Sequence, residues 1–374
     1  MLLKNCGYKE FAKRIKTKKK KIVAYGAGMI GRVVVPYLLE EHELYDNLAC
    51  FVDMDQRKWG SKVKICGKEY VIKKPEFLKA IDDSYVLLIT NSKFIPVIEF
   101  LDSIPNLNEV SSYIVPIMQI SELEDSETIV IQRSRKQPVI PKKIHYCWFG
   151  RKEIPDFLKT CISSWRKLCP DYEIIEWNEN NYNVNRHDFT KEAYEAGKYG
   201  FVSDMARIDI LYENGGIYLD TDVTLIKSLD DLLYQDGFIG TEKWGNINSG
   251  GGCGFAVGHA MLKKMLDYRE QFHFILEDGS LNMETNGMYE TIPFLNEGFK
   301  PNNRLQTVGN VTVYPSYINH PYDYMSCETH KKAVTVSVHH FYGGWMEDMD
   351  LLNRKNTQNQ YLGIVNRMKS GGKP

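Results

Sequence analysis

Two aspartates separated by one residue, Asp220 and Asp222, are well suited by type and spacing to hold a metal ion. They directly follow a short apolar segment, residues 217–219, which predicts a buried strand. Because alternate residues of an extended segment point to the same side, both carboxylates should face one site. Two like charges held that close repel unless a cation or a set of donors lies between them. The pair therefore suits Mg²⁺ or Mn²⁺, with a substrate diphosphate completing the coordination shell.

A second pair of charged residues, Asp204 and Arg207, lies three positions apart on a predicted helix and so shares one helix face. Ser203 is the predicted N-cap of that helix, and the two glycines at 215 and 216 should end it. The helix then leads straight into the strand before the aspartates, so the pair can fold back near them. The alternative is a surface ion pair, which would contribute little.

The pattern S-D-x-x-R followed by G-G-I-Y-L-D-x-D resembles the signature of glycosyltransferase family 32, which includes many capsular polysaccharide enzymes. It is also similar to the catalytic domain of the large clostridial glucosylating toxins. The resemblance covers about residues 140–345. It implies a GT-A type α/β domain and a metal-dependent, retaining transfer of a hexose or N-acetylhexosamine. The donor would be a nucleotide-diphosphate sugar, UDP-sugar by expectation, and the acceptor a glycan or a lipid-linked oligosaccharide, as in capsular or surface polysaccharide synthesis.

The resemblance also assigns roles to the four charged residues. Asp222 is expected to bind the metal directly, and Asp220 to bridge the metal and the sugar or ribose. Asp204 and Arg207 would hold the sugar hydroxyls, since a charged fork and an acceptor together select one epimer. No carboxylate is indicated as a covalent nucleophile, which favours a front-face displacement in which the leaving phosphate takes the acceptor's proton.

Four further residues are predicted at the site from the same resemblance. Trp148 would stack on the nucleotide base, since the flat face of an aromatic ring stabilises a base by stacking. Asn178 would touch the nucleotide, and Trp345 would pack over the diphosphate or the sugar. His339 would be the third metal ligand, with His340 as the alternative by one residue, because strand alternation lets only one of them face the site.

Two segments between these residues are predicted to be irregular. The glycine-rich stretch 246–254 is expected to be a flexible loop passing close to the sugar, where absent side chains make room. Residues 283–290 are expected to form a turn on the acceptor side, and no acceptor-binding residue is assigned there.

The N-terminal third carries a different motif. Gly26, Gly28 and Gly31 form GxGxxG directly after a predicted strand, and Asp53 ends the next strand at the position of a ribose-binding acid. The region resembles small Rossmann-like domains fused to capsule-sugar enzymes. It allows a nucleotide or NAD(P) site, or a degenerate module used for docking. The rival function is thus an NAD-dependent sugar oxidoreductase or epimerase, and a third alternative is an inactive sugar-binding relative.

The length of 374 residues predicts two domains, and 43% apolar with 25% charged residues is typical of a soluble protein. A net charge of −1 excludes bulk attraction to nucleic acid. The eight scattered cysteines favour reduced thiols and a cytoplasmic location. The basic segment 8–21 is either a peripheral contact with the inner membrane face or a solvated helix. The predicted organisation is a basic segment 1–20, a Rossmann-like domain 21–118, a linker 119–140, a GT-A domain 141–346 and a C-terminal tail 347–374.

Overall fold

A computed structural model describes residues 1–124, 129–343 and 348–373 of the chain. Its contacts divide the chain into two compact units. Unit 1 comprises Met1–Ser126 together with Leu352–Pro374, and unit 2 comprises Glu127–Leu351.

The regular elements are numbered in chain order. Among the described residues, the strands are β1 (Leu2–Lys4), β2 (Lys21–Tyr25), β3 (Leu48–Val52), β4 (Lys62–Ile65), β5 (Lys68–Lys73), β6 (Tyr85–Ile89), β7 (Ser111–Ile114), β8 (Lys143–Cys147), β9 (Glu173–Trp177), β10 (Gly216–Tyr218), β11 (Val223–Leu225), β12 (Gly237–Thr241), β13 (Ile247–Phe255), β14 (Gln306–Val308), β15 (Val311–Tyr314), β16 (Tyr322–Asp323), β17 (Glu328–Thr329) and β18 (Ser337–His339). The α-helices in the same ranges are α1 (Tyr8–Lys18), α2 (Val35–Glu41), α3 (Ile95–Asp102), α4 (Val115–Glu124), α5 (Asp156–Leu168), α6 (Asp188–Glu195), α7 (Tyr199–Asn214), α8 (Ala260–Arg269), α9 (Asn286–Asn296) and α10 (Asp348–Lys369).

Unit 1 is built on a sheet with the strand order β1-β7-β6-β2-β3-β5-β4 among the described residues. All neighbours pair in parallel except β4 and β5, which are antiparallel. The central strands β2, β3 and β6 are almost continuously apolar and buried, as a sheet covered by helices on both faces requires. The predicted α/β class is confirmed for this unit.

The division into units differs from the predicted boundaries at three places. The basic segment supplies β1 and α1 to unit 1, because Phe11 and Ile15 of α1 are buried in its core. Helix α4 continues across the predicted boundary between 118 and 119. The C-terminal segment from Leu352 onward belongs to unit 1 instead of following unit 2 as a tail.

Unit 2 contains a mixed sheet with the order β14-β15-β12-β13-β10-β8-β9 among the described residues. Strands β10, β8 and β9 are parallel neighbours, so their carboxyl ends meet at one edge. Beside this sheet, β11 and β18 form a separate antiparallel pair. The predicted α/β class therefore holds for unit 2 as well, and the edge at the carboxyl ends is where such sheets bind ligands.

In the part of the chain that the structure describes, no helix combines the length and apolar character needed to span a bilayer.

Candidate active site

Helix α7 carries Asp204 and Arg207 and leads into β10. It begins at Tyr199, four residues before the predicted N-cap, so that prediction is wrong: Ser203 lies inside the helix and its hydroxyl donates to the Tyr199 carbonyl. The predicted end is confirmed, since Gly215 follows Asn214 with a φ of 60° and Gly216 has a φ of 97°. Such left-handed conformations favour glycine.

The two aspartates lie in a turn between β10 and β11. The Val223 N–H donates to the Asp220 carbonyl at 3.0 Å, which closes the turn. The premise of an extended segment is therefore wrong, although both carboxylates still approach one point. Each of Asp220, Asp222 and His339 offers one ligand atom, and these atoms all lie within 4.8 Å of one another.

The register between β11 and β18 determines which histidine joins the aspartates. Val223 pairs with His339, so the imidazole of His339 lies beside the turn, with Nε2 3.3 Å from Asp222 Oδ1 and 3.8 Å from Asp220 Oδ2. His340 faces away, and its Nε2 lies 2.9 Å from the hydroxyl of Thr224. The structure thus brings together the residues predicted as ligands and places the alternative histidine elsewhere.

Burial and charge act in opposite directions on Asp222. Burial disfavours its ionised form, but the charge of His339 and the N–H of Tyr342 outweigh that effect and lower the pKa of Asp222 to about 2. Asp222 in turn raises the pKa of His339 against the effect of burial. Two carboxylates and an imidazole in this arrangement form a donor set that suits Mn²⁺. Mg²⁺ would be bound mainly by the carboxylate oxygens, which it prefers to nitrogen.

Arg207 joins the metal-binding group to a second set of polar side chains. It is buried, and its Nη2 lies 2.6 Å from Asp204 Oδ1 and 3.3 Å from Asp220 Oδ1. The Tyr218 hydroxyl also donates to Asp220 Oδ1 at 3.0 Å. A buried guanidinium held by two carboxylates is fixed in position, which is what a binding site for sugar hydroxyls needs.

The glycine-rich stretch is a strand and not the predicted flexible loop. Residues 247–255 form β13, which pairs with β10 and β12. A Cβ on Gly250 would lie 2.1 Å from Asp220 Oδ2, and one on Gly251 would lie 2.2 Å from Nε2 of His320. The glycines therefore let a paired strand pass directly against the site, which explains the composition without flexibility.

Trp148 and Asn178 lie at the edge of the sheet that holds the aspartates. Trp148 follows β8 and is half-buried, with its ring N–H donating to the Lys152 carbonyl at 2.6 Å. Asn178 follows β9, and its side chain bonds Glu176 and the backbone of Asn180. Both positions suit the predicted contacts with a nucleotide, which stay predictions. Trp345 lies outside the described residues.

Glu290 and Ser249 were not predicted from the sequence. The Ser249 N–H donates to Glu290 Oε2 at 2.8 Å, and Nδ2 of Asn286 donates to Oε1 at 2.7 Å. Ser249 in turn accepts from Nη1 of Arg207 at 3.4 Å, and burial raises the pKa of Glu290 to about 7. The predicted turn over 283–290 is wrong from Asn286 onward, where α9 begins. No local pattern marks Glu290, because a single Glu in a helix is common.

In unit 1 the glycine motif follows β2 as predicted. Gly26 has a φ of 107°, and a Cβ on Gly31 would lie 2.2 Å from the Gly26 carbonyl oxygen. The Asp53 carboxylate accepts from the Ala27 N–H at 2.6 Å and from the Asp55 N–H at 2.8 Å, so it already has partners within the unit. Nucleotide or NAD(P) binding at Gly26, Gly28, Gly31 and Asp53 stays a prediction.

Residues 155–239 match the family model described as "Glycosyltransferase sugar-binding region containing DXD motif". The chain contains a DXD-type glycosyltransferase domain. The matched range runs from α5 to β12 and includes α7, β10 and both aspartates. The predicted enzyme class is confirmed at the level of this domain, whereas assignment to family 32 and to the capsular type stays a prediction.

Several proteins are similar to the chain over part of their length. "Inositol phosphoceramide mannosyltransferase 3" of Schizosaccharomyces pombe is 32% identical over 145 residues, which cover 38% of this chain and 40% of that protein. "Subversion of eukaryotic traffic protein A" of Legionella pneumophila is 25% identical over 199 residues, which cover 45% of this chain and 31% of that protein. The chain thus spans less than half the length of these relatives. A solved structure described as "PaToxG Glycosyltransferase" is 19% identical, with a TM-score of 0.36, and the alignment covers 49% of this chain and 78% of that one.

Proposed function

We propose that the protein is a metal-dependent glycosyltransferase that moves a sugar from a nucleotide-diphosphate donor to an acceptor hydroxyl. The observation that carries the proposal is the convergence of Asp220, Asp222 and His339 within 4.8 Å, beside the Asp204–Arg207 pair. The family match over residues 155–239 supports the same chemistry.

The proposed role of each residue follows from its contacts. Bound Mn²⁺ or Mg²⁺, held by Asp222, His339 and Asp220, would neutralise the charge that develops on the leaving diphosphate. Arg207 is fixed by Asp204 and Asp220, and the Nη1 N–H that does not donate to Ser249 can orient a sugar hydroxyl. Trp148 and Asn178, at the same edge of the sheet, would contact the base and the ribose.

The proposed stereochemistry is retention of the anomeric configuration. The carboxylates of Asp204 and Asp220 are both paired with the Arg207 guanidinium, which makes them poor nucleophiles. A front-face displacement, in which the leaving phosphate accepts the proton of the incoming hydroxyl, needs no protein nucleophile. A trapped glycosyl-enzyme adduct would contradict this mechanism.

The proposed donor is a UDP-sugar and the proposed acceptor a glycan or lipid-linked oligosaccharide, as in surface polysaccharide synthesis. Because the name of a yeast relative specifies mannosyl transfer, GDP-mannose belongs in any donor panel. Cytoplasmic location and contact with a membrane face stay predictions. In α1 the apolar residues Phe11 and Ile15 are buried within unit 1, so a membrane contact would rest on exposed polar groups, which are mostly basic but include Glu10.

The deciding experiment measures nucleotide release from a panel of UDP-sugars and GDP-mannose with Mn²⁺ and with EDTA. We expect slow hydrolysis of one donor by the wild type, and a loss of at least about hundredfold with EDTA or in Asp222→Asn, since the amide weakens a metal ligand. Asp231→Asn is the matched control, because Asp231 is exposed and forms a surface ion pair with Arg133. Equal release by Asp222→Asn and the wild type would contradict the proposal.

A further inference from the structure

Most of the hydrogen-bond donors of Arg207 face acceptors within unit 2. A guanidinium carries five N–H groups. The Nε N–H donates to the Ser203 carbonyl at 3.2 Å, and Nη2 faces the carboxylates of Asp204 and Asp220 at 2.6 and 3.3 Å. Nη1 donates to the Ser249 hydroxyl at 3.4 Å. Among the described residues, the second N–H of Nη1 is therefore the donor left for a ligand.

The direction of this second N–H depends on Ser249. Both N–H groups of Nη1 lie in the plane of the guanidinium at a fixed angle, so a hydrogen bond made by one sets the direction of the other. Ser249 lies in β13, which pairs with β10 and β12, so its backbone is fixed and its hydroxyl is the group that can rotate. The hydroxyl accepts from Arg207 only when its own proton points elsewhere.

Glu290 determines where the Ser249 proton points. This glutamate lies in α9 and is 2% exposed, and its carboxylate accepts from the Ser249 N–H at 2.8 Å and from the Ser249 hydroxyl. Asn286, one turn earlier in α9, donates to the same carboxylate at 2.7 Å and holds it in place. An ionised carboxylate can only accept, so the Ser249 hydroxyl must donate to it and turn its lone pairs toward Arg207.

The charges around Glu290 come from the helices packed beside it. Burial raises the pKa of Glu290 to about 7, although Arg207 and the donors on Ser249 oppose this shift. Arg269 of α8 and Asp204 of α7 line the same small cavity and contribute one charge of each sign. Above a pH of about 7 the carboxylate is therefore ionised, and the hydrogen-bonded series Glu290–Ser249–Arg207 is complete.

We propose that Glu290 is a positioning residue for the transfer and that it acts through Ser249 to orient the remaining N–H of Arg207 toward the transferred sugar. The inference rests on the proposed function and holds for any sugar on the donor. Glu290 does not contact the sugar, since two side chains separate them. Because the product nucleotide carries no sugar, its binding should not depend on this series.

The test compares Glu290→Gln with the wild type at about pH 8, where the wild-type carboxylate is ionised. The amide keeps the shape of the side chain but has one acceptor oxygen. With that oxygen on the Ser249 N–H, the NH2 group faces the Ser249 hydroxyl, whose proton then turns toward Arg207. We expect kcat/KM for Mn²⁺-dependent nucleotide release to fall about tenfold to hundredfold. The dissociation constants of Mn²⁺ and of the product nucleotide should stay within about twofold.

Two further variants complete the test. Glu297→Gln is the matched control, because Glu297 directly follows α9, is exposed and forms an ion pair with Lys264. It should change none of the three quantities. Ser249→Ala removes the hydroxyl and keeps the backbone N–H, so we expect it to lower kcat/KM by a similar factor. Because both site variants interrupt one series, the double variant should lose no more than the larger single loss.

Unchanged kcat/KM in folded Glu290→Gln would overturn the positioning role. An equal loss of affinity for Mn²⁺ or for the product nucleotide would also overturn it, because that result indicates a general structural role. Losses that multiply in the double variant would do the same, since they indicate separate effects. If Glu290→Gln does not fold, Ser249→Ala is judged by the same kcat/KM and affinity criteria. No metal-dependent release from any donor by the folded wild type would instead contradict the proposed function, on which this role rests.

Discussion

At the scale of single residues, the site depends on glycines, which leave room for its charged side chains, as much as on those side chains themselves. Gly250 in β13 faces Asp220, and a Cβ there would lie 2.1 Å from the carboxylate oxygen and 3.1 Å from Arg207 Nη1. Because the contact involves a paired strand, the backbone cannot easily withdraw. The glycine is therefore part of what holds the metal-binding aspartate and the arginine together.

We expect Gly250→Ala to lower kcat/KM for nucleotide release by about a hundredfold, since displacement of a binding group by about 1 Å has costs of that order. The substitution should also weaken Mn²⁺ binding measured by titration calorimetry. Gly363→Ala is the matched control, because no heavy atom lies within 4 Å of the added Cβ. Unchanged turnover and metal affinity in Gly250→Ala would show that Asp220 can move away without consequence.

At the scale of elements, the end of strand β18 at His339 directs this histidine and its neighbour His340 to opposite sides. His339 is buried against the two aspartates, whereas His340 contacts Thr224 and the ring of Phe157, at a centroid distance of 5.2 Å. The backbone N–H of His340 also donates to the Asp222 carbonyl at 3.1 Å, a bond that an alanine at 340 would keep. The two histidines thus form a matched pair in which only one side chain reaches the metal site.

Replacement of each histidine by alanine tests this alternation directly. We expect His339→Ala to weaken Mn²⁺ binding by about tenfold or more and to lower turnover in parallel, because a ligand is lost. We expect His340→Ala to bind Mn²⁺ within about twofold of the wild type. The reverse order of effects, or equal effects, would mean that the register of β11 and β18 differs in solution.

At the scale of the whole molecule, the C-terminal segment stabilises unit 1. Arg367 of α10 forms two hydrogen bonds with the Asp102 carboxylate at the end of α3, at 2.5 and 2.9 Å. Burial opposes ionisation of Asp102, but the hydrogen bonds and charges of Arg367 and of the N-terminal ammonium group outweigh it and lower the pKa of Asp102. The pair therefore links the two chain segments of unit 1, Met1–Ser126 and Leu352–Pro374.

We expect Arg367→Met to lower the free energy of unfolding of unit 1 by about 1 to 3 kcal/mol at pH 7, measured by native-state hydrogen exchange of β6 and β7. A lowered folded-state pKa contributes stability above the ordinary Asp pKa of 3.8, and this contribution is lost as the pH falls through the lowered value. The difference between variant and wild type should therefore shrink toward pH 3. Lys369→Met, at an exposed position in the same helix, should show no difference at either pH.

A large part of the site was predictable because its signals are local. Asp204 and Arg207 lie on one helix, and Asp220 and Asp222 lie in the turn that follows the glycine stop and one short strand. These four residues are therefore close in the chain, and residue types with turn chemistry suffice to bring them close in space. The two glycines at the end of α7 and the almost continuously apolar central strands of unit 1 are signals of the same kind. The N-cap prediction was wrong, because α7 begins at Tyr199 and Ser203 lies inside it despite the preference of serine for the capping position.

Sequence alone determined the two-aspartate site, the charged pair before it, the α/β class and the glycine motif of unit 1, since each depends on neighbours along the chain. Tertiary structure decided what depends on pairing between distant segments. The N–H of Tyr342 reaches Asp222 across 120 residues, and the register of β18 selects His339 over His340. In the same way, packing of α8 against α7, and of α9 against α8 and β13, buried Arg269 and Glu290. Burial and register are properties of the folded chain and not of local sequence.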